Sequence, residues 1–308
     1  MSALADDRRG VAVGSPIEDQ AATLRRLVAR AEPPRADRPV LLRRDGAPVI
    51  AIASGKGGVG KSTISVNVAI AIHGTRPAVL VDGDLGTANA DVLCGLAPSR
   101  RLDAELFRPG GPDLDSLRME TPWGFGLIPG AAGVAHAPQL DARQRHDLIG
   151  ALRGLGGPGD AVLIDLGAGI GAPVVEAVAA SDLGVIVTTA EPAALADAYA
   201  LIKCVTRHRG DPRPLRIGLV VNMVDTRAIG RAAHERIDRV CQRFLGGSMP
   251  LIGLVRRDKH VAYSVRRREP LLACHPRGPA ARDLRALAAM IAAIAPRIGR
   301  STTEGALP

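Results

Sequence analysis

Short apolar runs alternate with longer stretches of helical periodicity from about residue 48 onward. Seven of these runs are rich in Val, Ile and Leu and stop at turn-forming or polar residues, which is typical of strands. They are "VIAIAS", "AVLVDGD", "FGLIPG", "AVLIDLG", "LGVIVTT", "IGLVVNM" and "PLIGLV". Strands that alternate with helices predict an α/β fold, three-layer α-β-α and doubly wound around a mostly parallel sheet.

The same pattern divides the chain into zones. Residues 1–16 are polar and are expected to be disordered, and residues 17–31 repeat apolar positions at helical spacing. Residues 32–47 are rich in Pro and Arg and read as a linker, since proline cannot continue the helix. Residues 48–299 form the predicted domain, and residues 300–308 are a polar tail.

The last helix of the predicted domain reads "AARDLRALAAMIAAIAPRIG" and is closed by Pro296. Its larger apolar side chains recur at helical spacing, so we expect them to face the core. They are Leu284, Leu287, Met290, Ile291 and Ile294.

Composition adds a constraint on the interior and on location. Apolar residues make up 46% of the chain but aromatic residues only 2%, so Ala, Val, Leu and Ile must fill the core. Neither a signal peptide nor an 18-residue apolar span is recognisable, which predicts a cytoplasmic protein. The formal charge of +9 permits nucleic acid, anionic lipid or an acidic partner, and a merely solvated basic surface is the simpler interpretation.

Four cysteines are scattered, and none stand at the two-residue spacing of metal or cluster sites. We interpret them as reduced, mostly buried thiols. They are Cys94, Cys204, Cys241 and Cys274.

A glycine-rich loop, "SGKGGVGKST", follows the first predicted strand and precedes a predicted helix. Its Gly-x4-Gly-Lys-Ser spacing lets backbone N–H groups turn towards phosphate oxygens, and the helix start adds partial positive charge. We expect Lys61 to bind the terminal phosphates and the Ser62 hydroxyl to ligate Mg²⁺. The candidate nucleotide-binding residues are Gly55, Gly57, Gly58, Val59, Gly60, Lys61, Ser62 and Thr63.

Carboxylates close two other predicted strands, and a Mg²⁺-nucleotide site requires such groups. "VLVDGD" ends in Asp82 and Asp84, and "VLIDLGAG" contains Asp165 before a glycine-rich turn. We assign Asp165 to the metal site and Asp84 to orienting water beside the metal. A single aspartate of this kind would more simply be a turn or cap residue, but the pair arrives at the same sheet edge as the loop.

Two further polar residues are open to two interpretations each. Asn222 closes "GLVVN" and either offers its amide to a nucleotide base or is a turn residue. Lys56 is a second lysine in the loop, and it either reaches a nucleotide held by a second copy or is simply solvated.

"KGGVGKS" resembles the deviant Walker A motif of the MinD/ParA family of P-loop ATPases. The resemblance implies ATP and Mg²⁺ as cofactors and a homodimer that forms when ATP is bound. It also implies that Lys56 crosses the dimer interface and that Asn222 contacts adenine. "VDGDLGTANADVLCGL" is similar to switch I of the family, with Asp84 as the hydrolytic residue, and "LIDLGAGIG" to switch II, with Asp165 near the metal.

"DQAATLRRLV", "TTAEPAALADAYALIK" and "VAYSVRRREPLLACHPRGPAARDLRALA" resemble the FlhG group, also called FleN or YlxH, which governs flagellar number and placement. In that group the amino-terminal helix stimulates the GTPase FlhF, and Gln20 matches the key residue. The resemblance implies partner contacts by Asp19, Gln20, Leu24 and Arg25. A transcriptional regulator or a flagellar switch-complex protein is a further implied partner.

Departures and alternatives remain. Membrane-binding members of the family end in an aromatic and basic amphipathic helix, whereas this chain ends "IGRSTTEGALP", which argues against attachment to the inner face of the membrane.

The alternative function is a partition ATPase whose ATP dimer binds DNA nonspecifically, which the positive charge favours. An iron–sulfur carrier would require paired cysteines, and a tyrosine kinase a tyrosine cluster; the sequence has neither.

Overall fold

A computed structural model describes residues 46–84, 86–102, 112–131, 142–208 and 216–295, with the backbone alone for 142–146. Several predictions therefore lie outside the described residues. They are the tail 1–16, the helix 17–31 with Asp19, Gln20, Leu24 and Arg25, nearly all of the linker 32–47, and the tail 300–308.

All seven predicted strands are present, and they form most of one eight-stranded sheet. The order across the sheet is β3-β4-β2-β5-β1-β6-β7-β8, and every neighbouring pair is parallel except β3 with β4. The strands are β1 Val49–Ser54, β2 Ala78–Gly83, β3 Met119–Glu120, β4 Gly126–Ile128, β5 Ala161–Ala168, β6 Leu183–Thr189, β7 Ile217–Val224 and β8 Leu251–Arg256.

Helices cover both faces of this sheet. Those we number are α1 Lys61–His73, α2 Ala90–Leu93, α3 Ala142–Arg153, α4 Ala172–Ala180, α5 Pro192–Arg207, α6 Arg227–Leu245, α7 Lys259–Arg267, α8 Leu271–Cys274 and α9 Pro279–Ile294. A 3₁₀ turn spans Asp115–Leu117. One apolar core lies between the sheet and helices α3 to α6, and the other between the sheet and helices α1, α8 and α9. The predicted three-layer architecture is confirmed.

The central strand shows why the sequence folds this way. Val49, Ala51 and Ala53 pack into one core, whereas Ile50 and Ile52 pack into the other. A strand covered on both faces has no polar side to alternate, so it reads as a continuous apolar run. Each fully buried isoleucine contributes about 1.5–3 kcal/mol relative to an exposed one.

Two details differ from the sequence prediction. The edge strand β3 was not predicted, because two residues are too few to carry a period. Met290 was expected in the core but is exposed, while Leu284, Leu287 and Ile291 are buried and Ile294 is partly buried. At about 100° per residue Met290 lies roughly 120° from Leu284, beyond the edge of the buried stripe.

The topology determines where a ligand can bind. β1 lies between β5 and β6. Strands β5, β2, β4 and β3 follow on one side of it, and β6, β7 and β8 on the other. The loops that follow β1, β2, β5 and β7 therefore open at the same carboxyl edge, the usual ligand position in such sheets. Within the described ranges, no helix combines the length and apolarity needed to cross a bilayer.

Candidate functional site

The loop between β1 and α1 has the backbone of a phosphate cradle. Gly58 and Gly60 have φ of +80° and +83°, the left-handed region that favours glycine. A Cβ added at Gly57 or Gly58 would meet nothing within 4 Å, so this side of the loop is open. Helix α1 then starts at Lys61 with no side-chain cap and no acidic residue in its first turn, which leaves N–H groups free for an anion.

The other side of the loop is packed against the protein. A Cβ on Gly55 would collide with the Asp197 carbonyl of α5, so only glycine fits there. Asn222, buried at the end of β7, donates from Nδ2 to the Val59 carbonyl at 2.8 Å. A Cβ on Gly60 would lie 2.5 Å from the same nitrogen. Asn222 thus supports the loop, and its predicted contact with adenine stays a prediction.

Lys61 is buried and held by a carboxylate. Its Nζ donates to Asp165 Oδ1 at 2.8 Å, and the Ser65 hydroxyl donates to the same oxygen at 2.9 Å. Asp165 is fully buried, and its Oδ2 has no hydrogen-bond partner among the described residues. A buried carboxylate oxygen without a partner is costly, and a Mg²⁺-bound water is a group that would satisfy it. The predicted metal residue therefore fits that ion.

Asp82 lies beside Asp165 in the register of β2 and β5 and is also buried. Its oxygens accept the backbone N–H groups of Asp84, Asn89 and Ala90 at 3.1, 2.8 and 2.9 Å. Burial, and secondarily the charge of Asp165, raises the pKa of Asp82 to about 6. Asp82 therefore anchors the start of α2 to the sheet beside the loop.

Asp84 is half-buried at the same edge, in a turn of its own. Its Oδ1 accepts the N–H groups of Gly86 and Thr87 at 3.2 and 2.9 Å, and its Oδ2 accepts the Thr87 hydroxyl at 3.0 Å. A Cβ on Gly167, just after Asp165 on β5, would lie 3.6 Å from Asp84 Oδ1. The structure thus brings the two predicted carboxylates to neighbouring strand ends.

The remaining predicted residues surround this centre. Ser62 and Thr63 are half-buried in the first turn of α1. The Lys56 side chain is 43% exposed, and its Nζ lies 3.8 Å from Glu191 Oε2. In the described part of the chain no three His, Cys, Asp or Glu side chains gather into a metal site.

The comparisons with known proteins identify the family. Residues 50–271 match the CbiA description, the CobQ/CobB/MinD/ParA nucleotide binding domain. The chain belongs to the MinD/ParA family. The predicted resemblance is confirmed, and this MinD/ParA protein is an ATPase with a nucleotide-binding domain.

Two relatives of this MinD/ParA chain have the names FleN and YlxH, which belong to the group that the sequence resembles. The chain is 35% identical over 241 residues to the antiactivator FleN of Pseudomonas aeruginosa, covering 78% of this chain and 84% of FleN. It is 36% identical over 231 residues to the flagellum site-determining protein YlxH of Helicobacter pylori, covering 72% and 74%.

A solved MinD structure has the same fold. The septum site-determining protein MinD of Pyrococcus horikoshii OT3, complexed with Mg-ADP, superimposes with a TM-score of 0.66 at 24% identity. The match covers 80% of this chain and 96% of that one. At this identity the likeness supports the fold alone.

Sequence reasoning missed three parts of this MinD/ParA site. The sequence identifies Asp82 only as a strand-end neighbour of Asp84, and it does not distinguish Ser65 or Glu191 as site residues. The signal for Asp82 was available, because a carboxylate at the end of an apolar strand needs donors. No local pattern indicates Ser65 or Glu191, since their partners are distant in sequence.

Proposed function

We propose that this ATPase is a switch that dimerises around two ATP molecules and thereby controls flagellar number or placement. The flagellar part is supported by the names of the FleN and YlxH relatives, which align with most of the chain. The dimer is supported by the contrast between two lysines of one loop. Lys61 is 7% exposed and ion-paired at 2.8 Å, whereas the exposed Lys56 is paired more loosely, at 3.8 Å from Glu191.

Each site residue has its own role in this proposal. The N–H groups of residues 57–63 and Lys61 hold the phosphates, as expected for a loop and helix start of this form. Ser62 and Asp165 hold Mg²⁺, which neutralises phosphate charge when it is bound. Asp84 orients the attacking water, and Lys56 neutralises charge on the nucleotide of the partner subunit.

The regulated partner is proposed to be an FlhF-type GTPase that binds the segment 17–31 through Gln20. The support for this partner is the resemblance to the FlhG group. Segment 17–31 lies outside the described residues, so the structure adds nothing to it. The full-length chain should raise the rate of GTP hydrolysis by a purified FlhF-type GTPase more than a chain lacking residues 1–35 does. Equal stimulation by both would contradict the assignment.

The dimer is tested by Asp84→Ala. Loss of a group that orients water typically slows hydrolysis by about 100-fold or more. ATP should then persist and a dimer should accumulate, as measured by size-exclusion chromatography with light scattering. Asp84→Ala combined with Lys56→Ala should remain monomeric while still binding a fluorescent ATP analogue. An Asp84→Ala protein that binds ATP at saturation but elutes as a monomer would refute the proposal.

A further inference from the structure

Three aspartates bring their carboxylate oxygens to the sheet edge beside the phosphate loop. Asp82 and Asp84 use both of their oxygens to accept hydrogen bonds from the segment that leads from β2 into α2. Asp165 accepts Lys61 and Ser65 with Oδ1 alone. Among the described residues, Asp165 Oδ2 is therefore the one oxygen of this set that has no hydrogen bond.

Ser65 is the uncharged partner of Asp165. Its hydroxyl lies 2.9 Å from Asp165 Oδ1 and 3.1 Å from the Lys61 carbonyl. A hydroxyl has a single proton to donate, and the shorter distance and the negative charge both favour the carboxylate. Ser65 and Asp165 are both fully buried, so solvent does not compete for this hydrogen bond.

Helix α1 presents both donors to the same oxygen. Lys61 and Ser65 are four residues apart and therefore lie on one face of the helix. Lys61 Nζ donates to Asp165 Oδ1 at 2.8 Å, beside the Ser65 hydroxyl. The helix thus fixes the carboxylate through one oxygen and leaves the other oxygen unbonded.

The two donors differ in what else they can bind. The Lys61 ammonium has three protons on a long flexible side chain, so it can share them between Asp165 and phosphate oxygens. The one proton of the Ser65 hydroxyl is already used by Asp165. Ser65 is therefore the donor that stays with the carboxylate when Lys61 binds phosphate.

We propose that Ser65 is a positioning residue for Mg²⁺, because it holds Asp165 with Oδ2 open to the water shell of the ion. The proposal rests on the assignment of Asp165 to Mg²⁺ in the proposed function. The χ2 torsion of an aspartate is soft. Without Ser65 the carboxylate can rotate until Lys61 bonds both oxygens, and the oxygen that the metal site needs is then occupied.

A serine in a helix often has a simpler role, in which it donates to a carbonyl of the preceding turn. Ser264 on α7 is of this kind. It is 2% exposed, and its hydroxyl donates to the Val261 carbonyl at 2.9 Å. Ser264→Ala is therefore the matched control, because it removes an equally buried helical hydroxyl that bonds the backbone.

The test measures how strongly Mg²⁺ tightens the binding of a fluorescent ADP analogue to the full-length protein. Fluorescence anisotropy gives the dissociation constant in MgCl₂ and in EDTA, and ADP keeps hydrolysis out of the measurement. Ser65→Ala should weaken binding in MgCl₂ by about tenfold, the usual cost of losing a hydrogen-bond partner of a metal-site carboxylate. In EDTA it should bind like wild type, because the loop and Lys61 are unchanged. Ser264→Ala should match wild type in both solutions.

Other outcomes overturn the proposal. If Ser65→Ala weakens binding equally in MgCl₂ and EDTA, Ser65 supports the packing of α1 and not the metal site. Asp165→Asn should abolish the effect of Mg²⁺, and if it does so while Ser65→Ala retains the full effect, only the role of Ser65 is wrong. A wild type without Mg²⁺ dependence, or an Asp165→Asn protein that keeps it, refutes the metal assignment of the proposed function together with this inference. The Asp84→Ala dimer assay is independent of these results.

Discussion

Lys56 and Lys61 belong to the same loop but differ in what surrounds them. Lys61 is buried against a carboxylate, while the exposed Lys56 side chain lies 3.8 Å from Glu191 at the start of α5. The difference follows from position, because Lys61 begins α1 and Lys56 precedes the glycines that turn the chain. A charge buried with its partner is fixed in place, whereas an exposed charge stays available for new partners.

Asn222 provides a test at a single side chain. Asn222→Ala removes the donor to the Val59 carbonyl, and loss of a buried hydrogen bond costs roughly 1 kcal/mol or more. We expect about tenfold weaker binding of ATP and of inorganic pyrophosphate, measured by calorimetry, because the loop itself is loosened. Asn222→Asp keeps the size but replaces the donor with a buried negative charge beside the phosphate loop, so it should weaken binding of both ligands more than Asn222→Ala does. If only ATP binding falls, Asn222 contacts the base instead of supporting the loop.

The side chains of the site were only partly predictable. The loop spacing identified Lys61 and Ser62, and the strand ends identified Asp84 and Asp165, because both signals are local. The contacts of Asp165 with Lys61 and Ser65, and of Asn222 with Val59, join residues far apart in sequence. Without the fold, nothing local specifies which of several possible partners a polar group will bind.

Strands and helices were more predictable than side-chain partners. β1 and β6 match the predicted runs "VIAIAS" and "LGVIVTT" at both ends, since burial on both faces makes the apolar run as long as the strand. The hydrophobic pattern predicts less well at the edge of the sheet and beside the buried face of a helix. β3 is an edge strand and Met290 is exposed on α9; at such positions a residue contributes little buried area, so apolar and polar residues are less clearly separated.

Cys94 tests how firmly the short helix α2 is packed. The residue follows α2 and is buried, and burial, with a smaller effect of Asp91, raises the pKa of its thiol to about 12 from 9.0. The folded state therefore holds a proton that the unfolded state loses, so stability falls as the pH rises above 9. Between pH 8.5 and 10.5 we expect Cys94 to lower the free energy of unfolding by about 2 kcal/mol.

Urea unfolding of wild type and Cys94→Ala at several alkaline pH values measures this effect. The variant is less stable at neutral pH but should lose less stability on titration, because it lacks the buried thiol. Parallel pH profiles for the two proteins would show that α2 opens readily and exposes Cys94.

Across the whole molecule, Asp283 joins the two helical layers. It is buried in α9, and its carboxylate accepts hydrogen bonds from Arg256 Nε of β8 at 2.7 Å and from Arg227 Nη2 of α6 at 2.8 Å. Asp283→Ala leaves the guanidinium of Arg256 without its carboxylate. Because the Arg256 side chain is 29% exposed and water can still reach it, we expect the free energy of unfolding to fall by about 1.5–3 kcal/mol. Denaturant titration measures this loss.

The matched control is Asp225→Ala. Asp225 pairs with Arg257 at 2.9 Å, but both side chains are exposed, and such pairs contribute about 0–1 kcal/mol. A loss at Asp283 no larger than at Asp225 would mean that the edge of the sheet is held by apolar packing alone.

Residues 216–295 contain fifteen Lys and Arg against six Asp and Glu, and the sheet order places this excess positive charge at one edge of the sheet, because β7, β8 and their helices form that edge. Such an asymmetry gives the described part of the chain a permanent dipole moment. In the field of a negatively charged body the molecule will rotate to approach with the β8 edge leading, before any contact forms. Raising the salt concentration shortens the range of this alignment, to about 8 Å at physiological ionic strength, and so slows the capture of acidic partners.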